Sequence, residues 1–374
     1  MEIINELSLG KHFTFSESKK MPVYSWFYYK EGFSPFLVKH FIKKEKHKKV
    51  LDPFMGSGTT LMACNEMCID SYGIDVSDLS VFITNTKIRE RDKDSIDELQ
   101  KFLSNLKSYK ETVQFDSELF KLKDIFPARN LLPMLKIRAA IENLEKSRDL
   151  ALLALISIIP MVSYIKKEGG VLRIDKKKHL ADVYKTYKKK IQKMINDIRL
   201  IESLKKEGKY CNKANALFGD ARKMPFEDNM FNAVLTSPPY LNNVDYSKVY
   251  NIEICFLTMD KNSPYEIRKR LFPSFVFGKG SYGSYKEMVM NKYIDNTKRV
   301  FEEIYRVLDH NGEVFYNISN AIINKAHYEL DLEIAAIMES IGFKDVKIIA
   351  GLIRKTRINN TIYRVRESVI TGKK

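Results

Sequence analysis

With 374 residues, 44% of them hydrophobic, and a formal charge of +16, the chain is long enough for one large domain plus an insertion and too apolar to stay unfolded. The basic excess, with a sequence pI of about 9.3, favours a polyanionic partner, nucleic acid by default, although a merely soluble protein tolerates the same balance. No apolar run reaches the roughly 18 residues of a membrane-spanning helix and no secretory leader is recognisable, so a membrane partner is excluded and a cytoplasmic place is expected.

Residues 1–48 read as an N-terminal segment and a helix packed on a ligand site. Tyr24, Trp26, Phe27, Tyr28 and Tyr29 crowd the segment; they either lie over a cleft or, more commonly, pack. Ser34 is a helix N-cap by the usual grammar and Pro35 the first helical residue, with Phe36, Leu37, Phe41 and Ile42 as the apolar stripe. Residues 49–90 open a sheet. Val50-Leu51-Asp52-Pro53-Phe54-Met55-Gly56-Ser57-Gly58-Thr59-Thr60 is strand, glycine turn and helix start, the first βα unit of a doubly wound fold. Gly56 and Gly58 let the backbone bend tightly against a ligand, and the helix start favours a negative group. The bend is neither a dinucleotide fingerprint, since Leu61 stands where the third glycine would, nor a phosphate loop, since no lysine follows. The second strand ends in Asp75, where a carboxylate suits ribose hydroxyls or, alternatively, caps the turn at Ser77.

Residues 91–212 alternate charged and apolar side chains with helical period and read as a helical insertion, a candidate nucleic-acid contact. Leu150 to Pro160 reads as a buried helix ended by the proline. A glycine pair, Gly169-Gly170, lies between Lys166-Lys167 and Arg173, a flexible phosphate-contacting loop or a solvated surface. Cys64 and Cys68 are expected to pack as small apolar residues on one helix face, with no metal site.

Residues 213–374 read as the second part of the core, the sheet resuming at Ala214. Asp220 ends one strand, placed to accept from an adenine amino group. The next, ending at Leu235, runs into Thr236-Ser237-Pro238-Pro239-Tyr240. Two prolines fix φ twice and remove two donors, leaving an acceptor-only rim; Ser237 can accept as well, and Tyr240 offers a flat face. Accepting both N–H protons of an exocyclic base amine, through Ser237 and the Pro238 carbonyl, exposes the nitrogen lone pair to an electrophilic methyl. The base must leave the duplex to arrive there. Alone, the tetrad fits a plain Pro-Pro turn equally well; the glycine bend upstream shifts the balance. Asn242, Asn243, Val244, Asp245 and Tyr246 are expected to line the same pocket. Residues 260–298 mix basic and aromatic side chains around Gly278-Lys279-Gly280, suited to backbone contact and base stacking or to an ordinary surface loop. A helix stopped by Gly342 and two strands close the chain.

These residues resemble the S-adenosylmethionine-dependent amino-type DNA methyltransferases: Asp52 to Thr60 looks like their cofactor loop and Ser237-Pro238-Pro239-Tyr240 like their catalytic motif. The resemblance implies a Rossmann-like, doubly wound, seven-stranded α/β sheet. It implies S-adenosylmethionine as cofactor, with Phe33 and Ser34 near its methionine end and Asp52, Pro53, Phe54, Gly56, Gly58 and Thr59 around the methionine part. Asp75 would take the ribose and Asp220 the adenine; Ser237, Pro238, Pro239 and Tyr240 would hold and activate the amine. Serine at the first tetrad position is similar to the cytosine-N4 branch, whereas aspartate is typical of adenine-N6 enzymes, so N4 is favoured. The C5 branch is disfavoured, because none of the four cysteines follows a proline. Double-stranded DNA and a cognate restriction endonuclease are the implied partners. The rivals are an RNA base-amine methyltransferase and a non-catalytic nucleic-acid-binding subunit; recognition sequence and oligomeric state stay open.

Overall fold

The computed structural model describes every residue except 1, 30, 31, 114–121, 169, 170, 242, 243, 275–281, 324, 325, 359 and 360. Its strands, in chain order, are β1 Glu2–Asn5, β2 Lys49–Asp52, β3 Asp70–Asp75, β4 Ile165–Glu168, β5 Val171–Ile174, β6 Ala214–Phe218, β7 Phe231–Thr236, β8 Leu308–Ser319, β9 Ala321–Ile323, β10 Ala326–Tyr328, β11 Lys344–Ile358 and β12 Thr361–Lys373. Eight of them form one sheet in the order β1-β11-β12-β8-β7-β2-β3-β6. The central strands β8, β7, β2, β3 and β6 are parallel, and β12 runs antiparallel to both its neighbours. Seven strands follow the expected doubly wound plan. The eighth, β1, pairs with β11 at the edge, Ile3 opposite Ile348, an addition the sequence reading did not foresee.

From β2 the chain winds outward through β3 to β6, then returns to lay β7 on the other side of β2. The winding therefore reverses between β2 and β7, Val50 beside Ala233 and Leu51 beside Val234. At such a switch point the loops leaving the two strands diverge and open a crevice at their carboxyl ends. Side chains alternate across the sheet. Val50, Ala233 and Leu235 pack with the helices Pro35–Phe41 and Thr59–Met67. Leu51, Phe231 and Val234 pack on the other face with Phe301, Ile304 and Ile334, from the helices Tyr282–Val307 and Leu330–Ile341. Burial on both faces explains why Ala233 to Leu235 reads as an unbroken apolar run.

The helices between residues 93 and 206 share one hydrophobic core with the N-terminal segment, with Leu79 and Ile83, and with Tyr250, Ile254 and Ile267. Helix Arg148–Val162 is buried along nearly its whole length, and Pro160 sits within its last turn rather than ending it. Helix Val183–Lys206 reaches the N-terminal segment: Asp197 accepts from the Val23 backbone N–H (3.1 Å), the Trp26 indole (2.9 Å) and Lys193 (2.9 Å). Tyr24, Trp26 and Phe27 are buried in this core, so packing explains most of the N-terminal aromatics. Two expectations are corrected here. Within the insertion expected to be helical, Ile165–Glu168 and Val171–Ile174 pair as antiparallel strands, β4 with β5, because β-branched residues stand in both; the Gly169-Gly170 pair expected as a flexible loop lies outside the described residues. Cys68 leaves the helix face and is joined to Cys211 as a disulfide, since it takes the left-handed turn closing helix Thr59–Met67 and faces the segment entering β6. Cys64 is buried as expected. Among the described residues no helix is long and apolar enough to cross a membrane.

Candidate active site

The bend after β2 is pinned from below by Asp52. Its Oδ1 accepts from the Phe54 N–H (3.1 Å) and from Thr236 Oγ1 (2.6 Å), and its Oδ2 accepts from Thr60 Oγ1 (2.6 Å). The residue is 1% exposed, and burial pushes its carboxyl up to about 6 against the pull of those bonds. Thr236 is the last residue of β7. One carboxylate thus ties the glycine bend to the strand that presents the proline tetrad, across the switch point.

Above Asp52 the backbone turns through Gly56 (φ +51°) and Gly58 (φ +81°). Gly56 donates its N–H to Asp75 Oδ2 (3.0 Å), while Asp75 Oδ1 takes the Ser77 N–H (2.9 Å). Asp75 therefore caps its own turn and also faces the ligand side. Burial lifts its carboxyl to about 6. At Gly58 a Cβ would stand 2.7 Å from the Thr84 Cγ2, so glycine is required both by φ and by space. Lys87, buried beneath the bend, donates to the Ser57 carbonyl (2.9 Å). Burial, with Lys190 adding to it, pulls the Lys87 ammonium down to about 7.

A cleft of about 1060 Å³, including space open to solvent, lies between the two loops. Of the expected cofactor residues, Phe33, Pro53, Phe54, Gly56, Thr59, Asp75 and Asp220 line it. So do Ser237, Pro238, Pro239 and Tyr240. Three expected contacts do not line the cleft. Ser34 is buried as the N-cap of its helix, accepting from the Phe36 N–H (3.3 Å). Asp52 and Gly58 serve beneath the wall, as the tie and the turn. Asp220 is held by Arg222, whose Nε and Nη2 both donate to it (2.8 and 2.6 Å). Burial works against its charge, but the Arg222 bonds hold its carboxyl below the usual range.

The rim formed by the tetrad differs from the expectation at one atom. The Pro239 carbonyl accepts from the buried Tyr293 hydroxyl (3.3 Å), which ties the lip to helix Tyr282–Val307. Ser237 Oγ donates to the Tyr240 hydroxyl (3.2 Å), and Asn317 Nδ2 donates to Ser237 Oγ (3.4 Å). Tyr240 is 9% exposed and gives its own proton to Glu367 Oε1 (3.2 Å). Burial, with the Glu367 charge behind it, holds the phenol well above its ordinary range, so it keeps that proton. Asn317 Oδ1 is buried without a hydrogen-bond partner among the described residues, an acceptor left for a donor.

Tyr29, Tyr246 and Tyr250 complete the wall, Tyr29 stacked on Tyr250 at 5.1 Å and on Tyr246 at 6.1 Å between centroids. Sequence reasoning passed over Tyr250, Lys87, Asn317 and Glu367. Two signals were available: the i, i+4 spacing of Tyr246 and Tyr250, and a lone asparagine in the apolar run Val314-Phe315-Tyr316-Asn317-Ile318. Asp245 is the buried N-cap of a short helix, paired with Arg268 (2.9 Å). Asn242, Asn243 and the Gly278-Lys279-Gly280 stretch lie outside the described residues.

Residues 15–85 match the N6/N4 family described as DNA methylase. Type II methyltransferase M.BsoBI of Geobacillus stearothermophilus is 27% identical over 352 residues, covering 85% of this chain and 66% of its own length. These matches support a likeness to the amino-type DNA methyltransferases. Type II methyltransferase M.AvaI of Nostoc sp. is likewise 27% identical, over 74% of this chain and 62% of its own. M.MjaII of Methanocaldococcus jannaschii shares 42% identity over 80 residues, 21% of this chain and 14% of that one. The chain thus spans just under two thirds of the length of the relatives it matches most extensively. A solved S-adenosylmethionine-dependent methyltransferase from Methanosarcina mazei covers 90% of this chain and 96% of its own at 9% identity, with a TM-score of 0.36, too loose a likeness to add to the topology.

S-adenosylmethionine is the cofactor of this methyltransferase family, and the cleft suits it. Two carboxylates, Asp75 at the end of β3 and Asp220 two residues past β6, can accept from hydroxyls and an amine, and the Gly56 bend brings bare backbone to the wall. Phe33, Phe54 and Leu79 supply apolar surface between them.

Proposed function

We propose that this chain transfers the methyl group of S-adenosylmethionine to an exocyclic base amine in double-stranded DNA, cytosine N4 ahead of adenine N6, as the modifying half of a restriction-modification system. The observation that carries this reading is the Asp52–Thr236 bond of 2.6 Å, which fixes the glycine bend and the tetrad on two walls of one cleft. Bound there, the cofactor supplies an electrophilic methyl on a sulfonium. The Gly56 bend and Phe33 would hold its methionine end, Asp75 its ribose and Asp220 its adenine. Ser237 and the Pro238 carbonyl would accept the two N–H protons of the amine, favouring a pyramidal nitrogen with an exposed lone pair. Those bonds strengthen as positive charge develops on nitrogen, and holding the amine on one line replaces a bimolecular encounter. Tyr240 would pack against the flipped base through the part of its ring that lines the cleft.

The β4–β5 hairpin is our candidate DNA contact. It is fastened to the cleft wall by Lys167, which pairs with the buried Glu253 at 2.5 Å and lies 3.9 Å from the Tyr250 ring centroid. Arg173, Lys176 and Lys177 beside it are exposed. A cytosolic site of action with a cognate nuclease belongs to the same proposal. Cytosine N4 rests on serine at the first tetrad position.

Incubation with methyl-labelled cofactor and either duplex DNA or RNA, followed by nucleoside mass spectrometry, tests it. The expected product is N4-methylcytosine in DNA. N6-methyladenine would move the chain to the other branch, and label in RNA alone, or nowhere, would overturn the reading.

A further inference from the structure

A serine hydroxyl is both donor and acceptor, and only its acceptor face is useful to an amine whose protons must be taken. The side chains behind the tetrad remove that ambiguity. Arg354 Nη2 donates to Glu367 Oε2 at 2.6 Å, and Glu367 is 4% exposed, so the carboxylate is charge-paired and can only accept. Its other oxygen takes the single proton of Tyr240 at 3.2 Å. With that proton committed, the Tyr240 oxygen can meet Ser237 Oγ, also at 3.2 Å, only as an acceptor. The hydroxyl proton of Ser237 is thereby drawn away from the cleft. Asn317 Nδ2 occupies one lone pair of Ser237 Oγ at 3.4 Å, leaving the other for a ligand. The strand register supports this arrangement: Glu367 lies opposite Ser319 and Val369 opposite Asn317, so Asn317 and Glu367 share one face of the sheet.

We infer that Glu367, oriented by Arg354, is a positioning residue that acts through Tyr240 to make Ser237 an obligate acceptor toward the target amine, the state an aspartate at that place would have unaided. This deepens the methyl-transfer reading and rests on it. Glu367→Gln has a directional consequence. Arg354 keeps the amide oxygen, the amide NH2 turns to Tyr240, Tyr240 then donates to Ser237, and the Ser237 proton points into the cleft.

The test is a set of single-turnover methylation rates, with thermal midpoints and cofactor affinities, for the full chain and for E367Q, Y240F, E367Q/Y240F, S237D and S237D/E367Q. E367Q should slow transfer about 10- to 100-fold, the worth of one misdirected charge-assisted hydrogen bond, with cofactor affinity unchanged. On Y240F, which cuts the chain of bonds, E367Q should add nothing. On S237D, where the introduced carboxylate accepts by itself, E367Q should cost less than about 3-fold. Should S237D be too slow to measure, the Y240F pair decides. Losses that multiply independently, or an E367Q protein that melts earlier while transferring at the full rate, would overturn the inference and leave the reaction standing. Absence of transfer by the unaltered chain would instead remove the reading beneath it.

Discussion

The bend after β2 and the lip after β7 meet in one cleft but are held differently. The bend takes most of its support from close by in the chain: Asp52 with Thr60, Gly56 with Asp75, and the Ser57 carbonyl with Lys87 on the next helix but one. The lip is held by side chains from distant strands and helices, Ser237 by Asn317, Tyr240 by Glu367 and Pro239 by Tyr293. A ligand site made of backbone and short-range carboxylates can be built early and locally. A site that must present lone pairs with a fixed polarity depends on whichever side chains the assembled sheet brings behind it. Asp52 serves both.

Its removal should therefore have the largest effect. Asp52→Ala leaves both threonine hydroxyls and the Phe54 N–H without their acceptor and frees the two loops from each other. Transfer should fall about 100-fold or more, the cost of roughly an ångström of misplacement, in single-turnover assays. An Asp52→Ala enzyme of normal rate would mean that the loops keep their positions independently.

Gly58→Ala breaks the bend alone. The positive φ and the 2.7 Å approach to Thr84 should cost about 1–3 kcal/mol, read as a lower thermal midpoint and weaker cofactor binding in calorimetry. Binding of duplex DNA should be unchanged.

A titration separates folding from ligand binding at the same loop. Burial lifts the Asp52 and Asp75 carboxyls from 3.8 to about 6, so their contribution to folding is fully present below about pH 4 and is lost as pH rises through about 6. Lowering the pH from 7.5 to 5 should therefore stabilise the cofactor-free chain through these two groups, while cofactor affinity falls as Asp75 loses its charge. Asp75→Asn should weaken the cofactor about 10-fold at neutral pH, one charge-assisted bond's worth, and flatten that affinity profile. A profile as steep in the variant would assign the titration to another group.

The smallest effect belongs to Lys87→Met, which removes one donor from the Ser57 carbonyl and keeps the apolar stem. Cofactor affinity should drop about 3-fold, a neutral hydrogen bond's worth, with DNA affinity constant in filter binding.

The same contrast decides what could be read without coordinates. Ser34 and Pro35 start a helix, Gly342 ends one, Asp75 ends β3 and Asp220 follows two residues after the end of β6, because capping, turn and strand signals act within a few residues. The glycine bend and the tetrad were legible for the same reason, as was their placement at strand ends. What lay beyond reach was set by register across the sheet. Nothing near Tyr240 announces Glu367, 127 residues later, and nothing near Gly56 announces Lys87 as a support. The β4–β5 hairpin was masked by its lysines, which suggested a solvated loop although β-branched residues on both arms carry the strand signal. Cys68 looked like a helix-face residue because the left-handed turn that swings it toward Cys211 follows from the fold.

The most direct measurement is the structure of the chain with an unreactive S-adenosylmethionine analogue and a duplex carrying its target base. The base amine should donate to Ser237 Oγ, its nitrogen within about 3–3.5 Å of where the transferable methyl would sit, with the analogue between the Gly56 bend and Asp75. An analogue bound away from that bend, or a target base that never reaches Ser237, would contradict the account.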